Sequence, residues 1–377
     1  MFDWSGVKNI LVIRPDNMGD LIMSGPALRQ LKQRLNARVT VLTSSMAKAI
    51  ADFMPEIDDV IIFDVPWVKT EKETGADDLA ALVAELKERN FDAAVMFTVY
   101  SQNPLPSAMI AYHAGIKRVL GYCRENPYGL ISDWVPEEEP YQLIRHQVAR
   151  DLHLVSHVCE RIDDTNLALE VDDLLWPEIE TKLSAIGLNT GRPWLMLHAS
   201  VSESKRRLPE DIWIGTGKRL TSLGYQLLLT GTQSEKALTS RLASGIGENC
   251  FNGAGLFPIS QLITLIDHAP VLLSVNTGVV HIAAAVSTPV VVLYAQTNPQ
   301  HTPWQSPYTV IEFPVDPALK SRNKVIRYVD NTVYAQPAKM PSAAEIADAV
   351  TQLLKLPAEA DQLSHGTPSE NRDAEAN

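Results

Sequence analysis

Three short stretches of the sequence carry residue types whose spacing suits catalysis or phosphate binding. The first is Arg14-Pro15-Asp16-Asn17-Met18-Gly19-Asp20, which follows an apolar run at 10–13. A dinucleotide-binding turn would need three glycines at fixed spacing here, and a P-loop would need glycines followed by Lys and Ser or Thr. Neither pattern is present. Asp20 then has two readings. It is an acid in the first turn of a helix, favoured by the helix dipole, or a general base at the mouth of a cleft, within reach of an acceptor hydroxyl.

The second stretch, 198–209, places the small hydroxyl residue Ser200 and then Lys205, Arg206 and Arg207 just before a helix. Hydroxyls and backbone amides can donate to phosphate oxygens, and Lys205 adds a compact charge. The bland reading of such a cluster is a solvated surface. The third stretch runs from Ser274 to His281. Gly278 lets the backbone come close to a ligand, and the amides at a helix start around Thr277, Gly278 and Val279 can hold a diphosphate. His281 reads equally as a satisfied histidine on a helix face.

These stretches need a scaffold that brings them together, and the sequence pattern supplies one. Short apolar runs at 10–13, 39–42, 60–63, 93–97 and 119–121 alternate with helical periodicity, clearest at 78–89 through Leu79, Leu82, Val83 and Leu86. A further amphipathic helix is expected at 146–159. Alternation restarts after an acidic stretch at 163–173, with strands expected at 194–197, 226–229, 271–275 and 290–294. The matching helices are expected at 209–223, 234–246, 259–267 and 277–286. The pattern implies α/β units with parallel strands. We expect an amino-terminal domain over 1–170, a second over 171–341, and a final helix at 342–356 opened by a capping box from Ser342 and Glu345. The polar tail at 357–377 is expected to be disordered. Pro26 is either the first regular residue of its helix or a kink in it.

Composition narrows the function. A net charge of −12 argues against nucleic-acid binding. No apolar run approaches the ~20 residues that span a bilayer, and the start lacks a secretory pattern, so a cytoplasmic protein is expected. Cys123, Cys159 and Cys250 are far apart and lack metal-ligand spacing.

In this order, the three loops resemble those of glycosyltransferase family 9, which contains the ADP-heptose-dependent lipopolysaccharide heptosyltransferases. The opening matches at 10–28: an apolar strand, a basic residue, Gly-Asp, then a helix with Pro-Ala-Leu. The late signature matches at 276–294: a polar-Thr-Gly loop, His281, an Ala-rich helix and a strand entered through Thr-Pro. The resemblance implies two Rossmann-like domains facing across a cleft, the glycosyltransferase B fold. It implies Asp20 as catalytic base, and a donor site of Ser200, Lys205, Gln233, Asn276, Thr277, Gly278, Val279 and His281. Arg14, Met18, Gly19, Arg118, Tyr122 and Arg124 fall to the acceptor side. Lys205 is the cluster member on the family's matching position, so Arg206 is expected to matter less.

The implied reaction is inverting transfer of a sugar from an ADP-linked donor to a lipopolysaccharide core or related glycan. It uses no cofactor, and no Asp-x-Asp motif in these loops calls for a metal. Contact with the inner membrane is expected to be at most peripheral. Two departures stand out: Asn276 where many relatives have Asp, and Gln233 where a Glu often holds the ribose. The segment 296–304, with Asn298, Pro299, His301 and Trp304, also differs from the best-known heptosyltransferases. The alternatives are a noncatalytic sugar-nucleotide-binding protein, or a sugar-nucleotide epimerase or hydrolase on a similar scaffold.

Overall fold

The computed structural model describes residues 2–70, 73–201 and 203–355. The first half holds β1 (Asn9–Arg14), β2 (Arg38–Thr43), β3 (Asp59–Ile62), β4 (Ala93–Met96), β5 (Arg118–Cys123) and β6 (Asp133–Pro136). The second holds β7 (Trp194–His198), β8 (Gln226–Leu229), β9 (Cys250–Asn252), β10 (Leu272–Val275), β11 (Val290–Ala295) and β12 (Tyr308–Phe313). Their orders in the two sheets are β3-β2-β1-β4-β5-β6 and β12-β11-β10-β7-β8-β9, the same Rossmann-like order in each half. The recorded pairings, such as Ile10 with Val39 and with Ala93, or Leu272 with Val290 and with Met196, are parallel.

Strands covered by helices on both faces have no solvent side, which is why they read as unbroken Val/Ile/Leu runs. β1 is buried from Ile10 to Arg14 and β11 along its whole length. β6, β9 and β12, which the sequence reading omits, are edge strands. β6 alternates buried and exposed residues, β9 has three half-buried residues, and in β12 only Phe313 is buried. The helix Ala76–Glu88 buries Leu82 and Leu86 and leaves its acidic face to solvent.

The helix Met18–Leu35 runs through Pro26, so the proline is interior rather than its first residue. The helix Gln147–Val155 packs against it. The chain then crosses to the second half through an irregular stretch that includes 163–171. The last helix, Ala343–Leu353, lies on the helix Glu210–Ser222. It opens with the expected capping box: Ser342 N donates to Glu345 Oε2 at 2.7 Å, and Glu345 N donates to Ser342 Oγ at 3.2 Å. The tail 357–377, and the last residue expected for this helix, lie outside the described residues.

Candidate active site

In each sheet the strand order reverses at the first and fourth strands, β1 beside β4 and β7 beside β10. Helices leave such neighbours on opposite faces and open a crevice at their carboxyl ends. β1 ends at Arg14, β7 at His198 and β10 at Val275, so the three loops stand at these two switch points. The amino ends of the helices Met18–Leu35 and Gly278–Ala285 meet there. A Cβ on Gly19 would lie 2.7 Å from His281 Cδ2 and 3.3 Å from Gly278 Cα, and one on Gly278 would lie 2.6 Å from Met18 Cε. A side chain at Gly19 would press on the buried His281 ring and the Gly278 backbone, so glycine there lets the two halves approach this closely, whereas at Gly278 only the mobile end of Met18 would have to move.

A cavity of about 760 Å³ opens at this junction. Ser200, Gln233, Asn276, Thr277, Gly278, Val279, His281, Met18, Gly19 and Asp20 all line it. Ser200 Oγ, Thr277 Oγ1 and His281 Nδ1 are buried without a hydrogen-bond partner in the protein. Buried polar atoms are nearly always paired, so three unpaired ones around a single cavity point to a polar ligand. Thr277 is also the N-cap of the helix Gly278–Ala285 and spends its hydroxyl on no cap, which leaves the first-turn amides facing a ligand as well. Met46, Leu256, Phe257, Pro258, Ile259 and Leu262 give the same cavity an apolar lining.

Gln233 lines this cavity too, with its side-chain oxygen 2.2 Å from where a Gly255 Cβ would be; Gly255 itself sits at φ +79°. Glu235, absent from the sequence reading, also lines the cavity and accepts from Thr232 N at 2.6 Å. Asn276 is partly engaged by the fold: its Oδ1 accepts from Ala295 N at 3.2 Å and its Nδ2 donates to Thr297 Oγ1 at 3.4 Å. Burial, and then the neighbouring His301, His146 and Arg206, hold the His281 pKa well below the ordinary histidine range, so its ring is neutral.

A second cavity of about 200 Å³ adjoins the first. The two share Asp20, Arg206, Thr297 and His301. The smaller one also takes Tyr100 and Ser101 from the loop after β4, and Lys205, Lys320 and Asp330 from the second half. Asp20 therefore stands where the two spaces meet. Its recorded partners are Arg14 Nη2 at 3.4 Å and His301 Nε2 at 3.6 Å, an arrangement that a helix-start acid does not require.

Arg14 lies behind Asp20, fully buried, and pairs also with Asp16 at 3.4 Å. It lines neither cavity and acts on Asp20 from behind. Burial opposes its charge, but Asp16, Asp151 and Asp20 together outweigh that and raise its pKa. Burial pushes Asp16 up to about 6 against the pull of Arg14.

Several expected site residues sit elsewhere. Arg118 begins β5, at the amino end of the sheet, and donates to Asp3 O at 3.1 Å, on the side away from the crevice. Tyr122 is buried under Arg150, with its hydroxyl held by Arg150 O at 3.3 Å and by His153 Nδ1. Arg124 donates to Tyr100 O at 2.6 Å and to Glu139 O. The structure brings none of the three to either cavity wall. Met18 and Gly19 line the larger cavity rather than an acceptor space.

Lys205 and Arg206 exchange places relative to the sequence reading. They lie in a 3₁₀ turn, Ser204–Arg206, which sends successive side chains in different directions. Lys205 faces the smaller cavity, with Nζ 2.9 Å from Glu203 Oε2, whereas Arg206 lines both cavities and donates to Asn276 O at 3.0 Å. Arg206→Ala is therefore expected to weaken binding of a diphosphate ligand more than Lys205→Ala, by ~10–100-fold, the worth of a charge-assisted hydrogen bond or two. Calorimetric titration of both variants checks this order.

Residues 79–326 match the family model of glycosyltransferase family 9 (heptosyltransferase). The chain is 26% identical over 312 residues to the lipopolysaccharide heptosyltransferase 2 of Escherichia coli K12, covering 78% of this chain and 84% of that protein. It is 27% identical over 306 residues to the lipooligosaccharide heptosyltransferase 2 of Haemophilus influenzae, covering 78% and 85%. Among solved structures it resembles a glycosyl transferase family 9 protein from Veillonella parvula, with a TM-score of 0.74 at 16% identity over 94% of this chain and 98% of that one. It also resembles the E. coli ADP-heptose lps heptosyltransferase II, with a TM-score of 0.68 at 22% identity over 92% and 98%. These likenesses fix the architecture as glycosyltransferase B.

Proposed function

The chain belongs to glycosyltransferase family 9, and we propose that it moves a heptose from ADP-heptose onto a lipopolysaccharide core or related glycan, with inversion, Asp20 as general base and no metal. The observation that carries this reading is the position of Asp20, on the boundary between two adjoining cavities. The larger cavity suits a nucleoside diphosphate: an apolar lining for the base, and unpaired hydroxyls and helix-start amides for phosphate. The smaller suits the end of an acceptor glycan.

Asp20 removes the proton of an acceptor hydroxyl as its oxygen attacks the anomeric carbon. The C–O bond to the diphosphate breaks, and its electron pair leaves with ADP. Ser200, Thr277, the amides of Gly278 and Val279, and Arg206 receive that charge where it develops. With attack from one cavity and departure into the other, a single displacement inverts the anomeric centre. Product NMR should show the configuration opposite to the donor's. The acceptor would be met at the cytoplasmic face of the inner membrane. No helix among the described residues is long and apolar enough to cross it.

Donor identity has its own test. ADP should raise the melting temperature more than UDP, GDP or NAD does, since a ligand at ~100 times its Kd that binds the folded state adds ~2.7 kcal/mol. A preference for UDP would sink the ADP assignment and leave the fold untouched.

A further inference from the structure

His301 sits on the segment 296–304, which follows β11. That segment is fastened to the first half on both sides of His301. Gln147 N donates to Gln300 O at 2.9 Å, and Gln300 Nε2 donates to Arg145 O at 3.1 Å. His146 Nε2 meets Thr302 O at 2.8 Å, and its ring packs on Trp304 at 4.6 Å between centroids. Trp304 Nε1 donates to Thr165 O at 2.8 Å. A second-half residue is thus held against a first-half carboxylate, with Nε2 of His301 3.6 Å from Asp20 Oδ1.

The tautomer follows from a neighbour. Asn298 Oδ1 accepts from Gln300 N at 3.0 Å, which turns its NH₂ toward His301 Nε2 at 3.1 Å. Nε2 is therefore an acceptor and the ring proton sits on Nδ1. Two acceptor atoms, Asp20 Oδ1 and His301 Nε2, stand 3.6 Å apart, and the single Nε2 lone pair, held at rest by the Asn298 amide, is freed for a proton only when that amide turns away.

We propose that His301 is the proton-accepting partner of Asp20: the proton that Asp20 takes from the acceptor hydroxyl passes to Nε2 of His301. The inference rests on the reading of Asp20 as base. The acceptor O–H bond breaks and its oxygen bonds the anomeric carbon. The proton goes to Asp20 and on to His301, and the leaving electron pair goes to the diphosphate. Asp20 is again a carboxylate beside Arg14, and His301 returns its proton to solvent once the products leave. A gap of 3.6 Å needs to tighten by well under 1 Å in the ternary complex, as catalytic contacts commonly do.

The ionisable groups around the ring are Asp20 and Arg14 from the first half, Arg206 after β7, His146 at the start of the helix Gln147–Val155, and His281, whose ring centroid is 6.4 Å away. Tyr294 holds the segment through Asn298 O. Burial, then Arg206, Arg14 and His146, keep the His301 ring neutral in the free protein. A donor diphosphate beside Arg206 offsets those cations and makes the ring a better proton acceptor when one is needed.

The test is the pH dependence of kcat with saturating ADP-heptose and a heptose-deficient lipopolysaccharide core. The acid limb reports the proton held by the pair in the ternary complex. His301→Gln should lower kcat by ~10–100-fold, leave KM for ADP-heptose within about threefold, and move the acid limb to lower pH, because the imidazole that shares the proton is then gone. Asn298→Asp keeps the acceptor for Gln300 N and puts a carboxylate beside Nε2, so it should move the limb to higher pH. If His301→Gln does not fold, the limb of Asn298→Asp decides alone.

Wild-type kcat in His301→Gln, or limbs that stay put, overturns the proposal. Asp20→Asn with undiminished transfer would instead remove the base reading beneath it. An inactive Asp20→Asn with unmoved limbs removes only the role of His301.

Discussion

Asp20→Asn is expected to fold normally, to bind ADP within a few-fold of the parent, and to lose ~100-fold or more in transfer rate, the usual worth of a positioned base. Asparagine keeps the size of the side chain and can still accept from Arg14 Nη2, now 3.4 Å away, but it cannot take a proton. If Asp20 served only the helix start, asparagine would do nearly as well, since the first turn tolerates both. Stability must be measured on the same sample, because a carboxylate is being removed from beside a buried arginine. A folded Asp20→Asn protein that transfers sugar at the parental rate rules out the base.

The largest effect on stability is expected at Arg150. Its side chain is wholly buried and pairs with Glu137 and Glu139, whose side chains are 4% and 0% exposed. Its Nε donates to Thr98 O at 2.9 Å, and its guanidinium lies 4.3 Å from the centre of the Tyr122 ring. Arg150→Met fills most of the space and leaves two buried carboxylates without their cation. Breaking a buried pair from one side costs about 3–5 kcal/mol, which for a chain of this size lowers the melting temperature by about 4–6 °C. Arg241, paired with Glu210 across an exposed surface at 2.7 Å, is the control. Arg241→Ala should leave the melting temperature nearly unchanged, because solvent screens an exposed pair. Equal losses in the two variants would mean that burial is not what makes Arg150 matter.

Much of the framework is legible in the sequence for a physical reason. Strands buried on both faces must be apolar along their length, so β1, β7, β10 and β11 announce themselves, and the polar residues that interrupt them mark the loops at the switch points. Ser200, Asn276, Thr277 and Gly278 become visible in this way. Edge strands carry no such run, and β6, β9 and β12 pass unseen. The sheet pairing that sets the loop after β4 against the loop after β1 is a long-range fact, so Tyr100 and Ser101 look ordinary in the sequence. Side-chain direction within one turn is equally hidden, which is why Lys205 and Arg206 trade places.

Arg118 shows a different limit: a strand residue at the wrong end of a parallel sheet cannot reach the crevice, whatever its charge. The segment 296–304 stood out as unusual. That it fastens to Arg145 and Gln147 in the other half, and carries His301 to Asp20, depends on contacts between residues more than 150 positions apart.

The central claim is transfer, and it is tested most directly by following both products at once. The folded protein is incubated with ADP-heptose and a heptose-deficient lipopolysaccharide core in the presence of EDTA, the acceptor is weighed by mass spectrometry, and ADP is quantified. The account predicts that the acceptor gains one heptose for each ADP released, with the chelator making no difference. ADP released with the acceptor unchanged, donor converted without any acceptor, or binding with no turnover would contradict it.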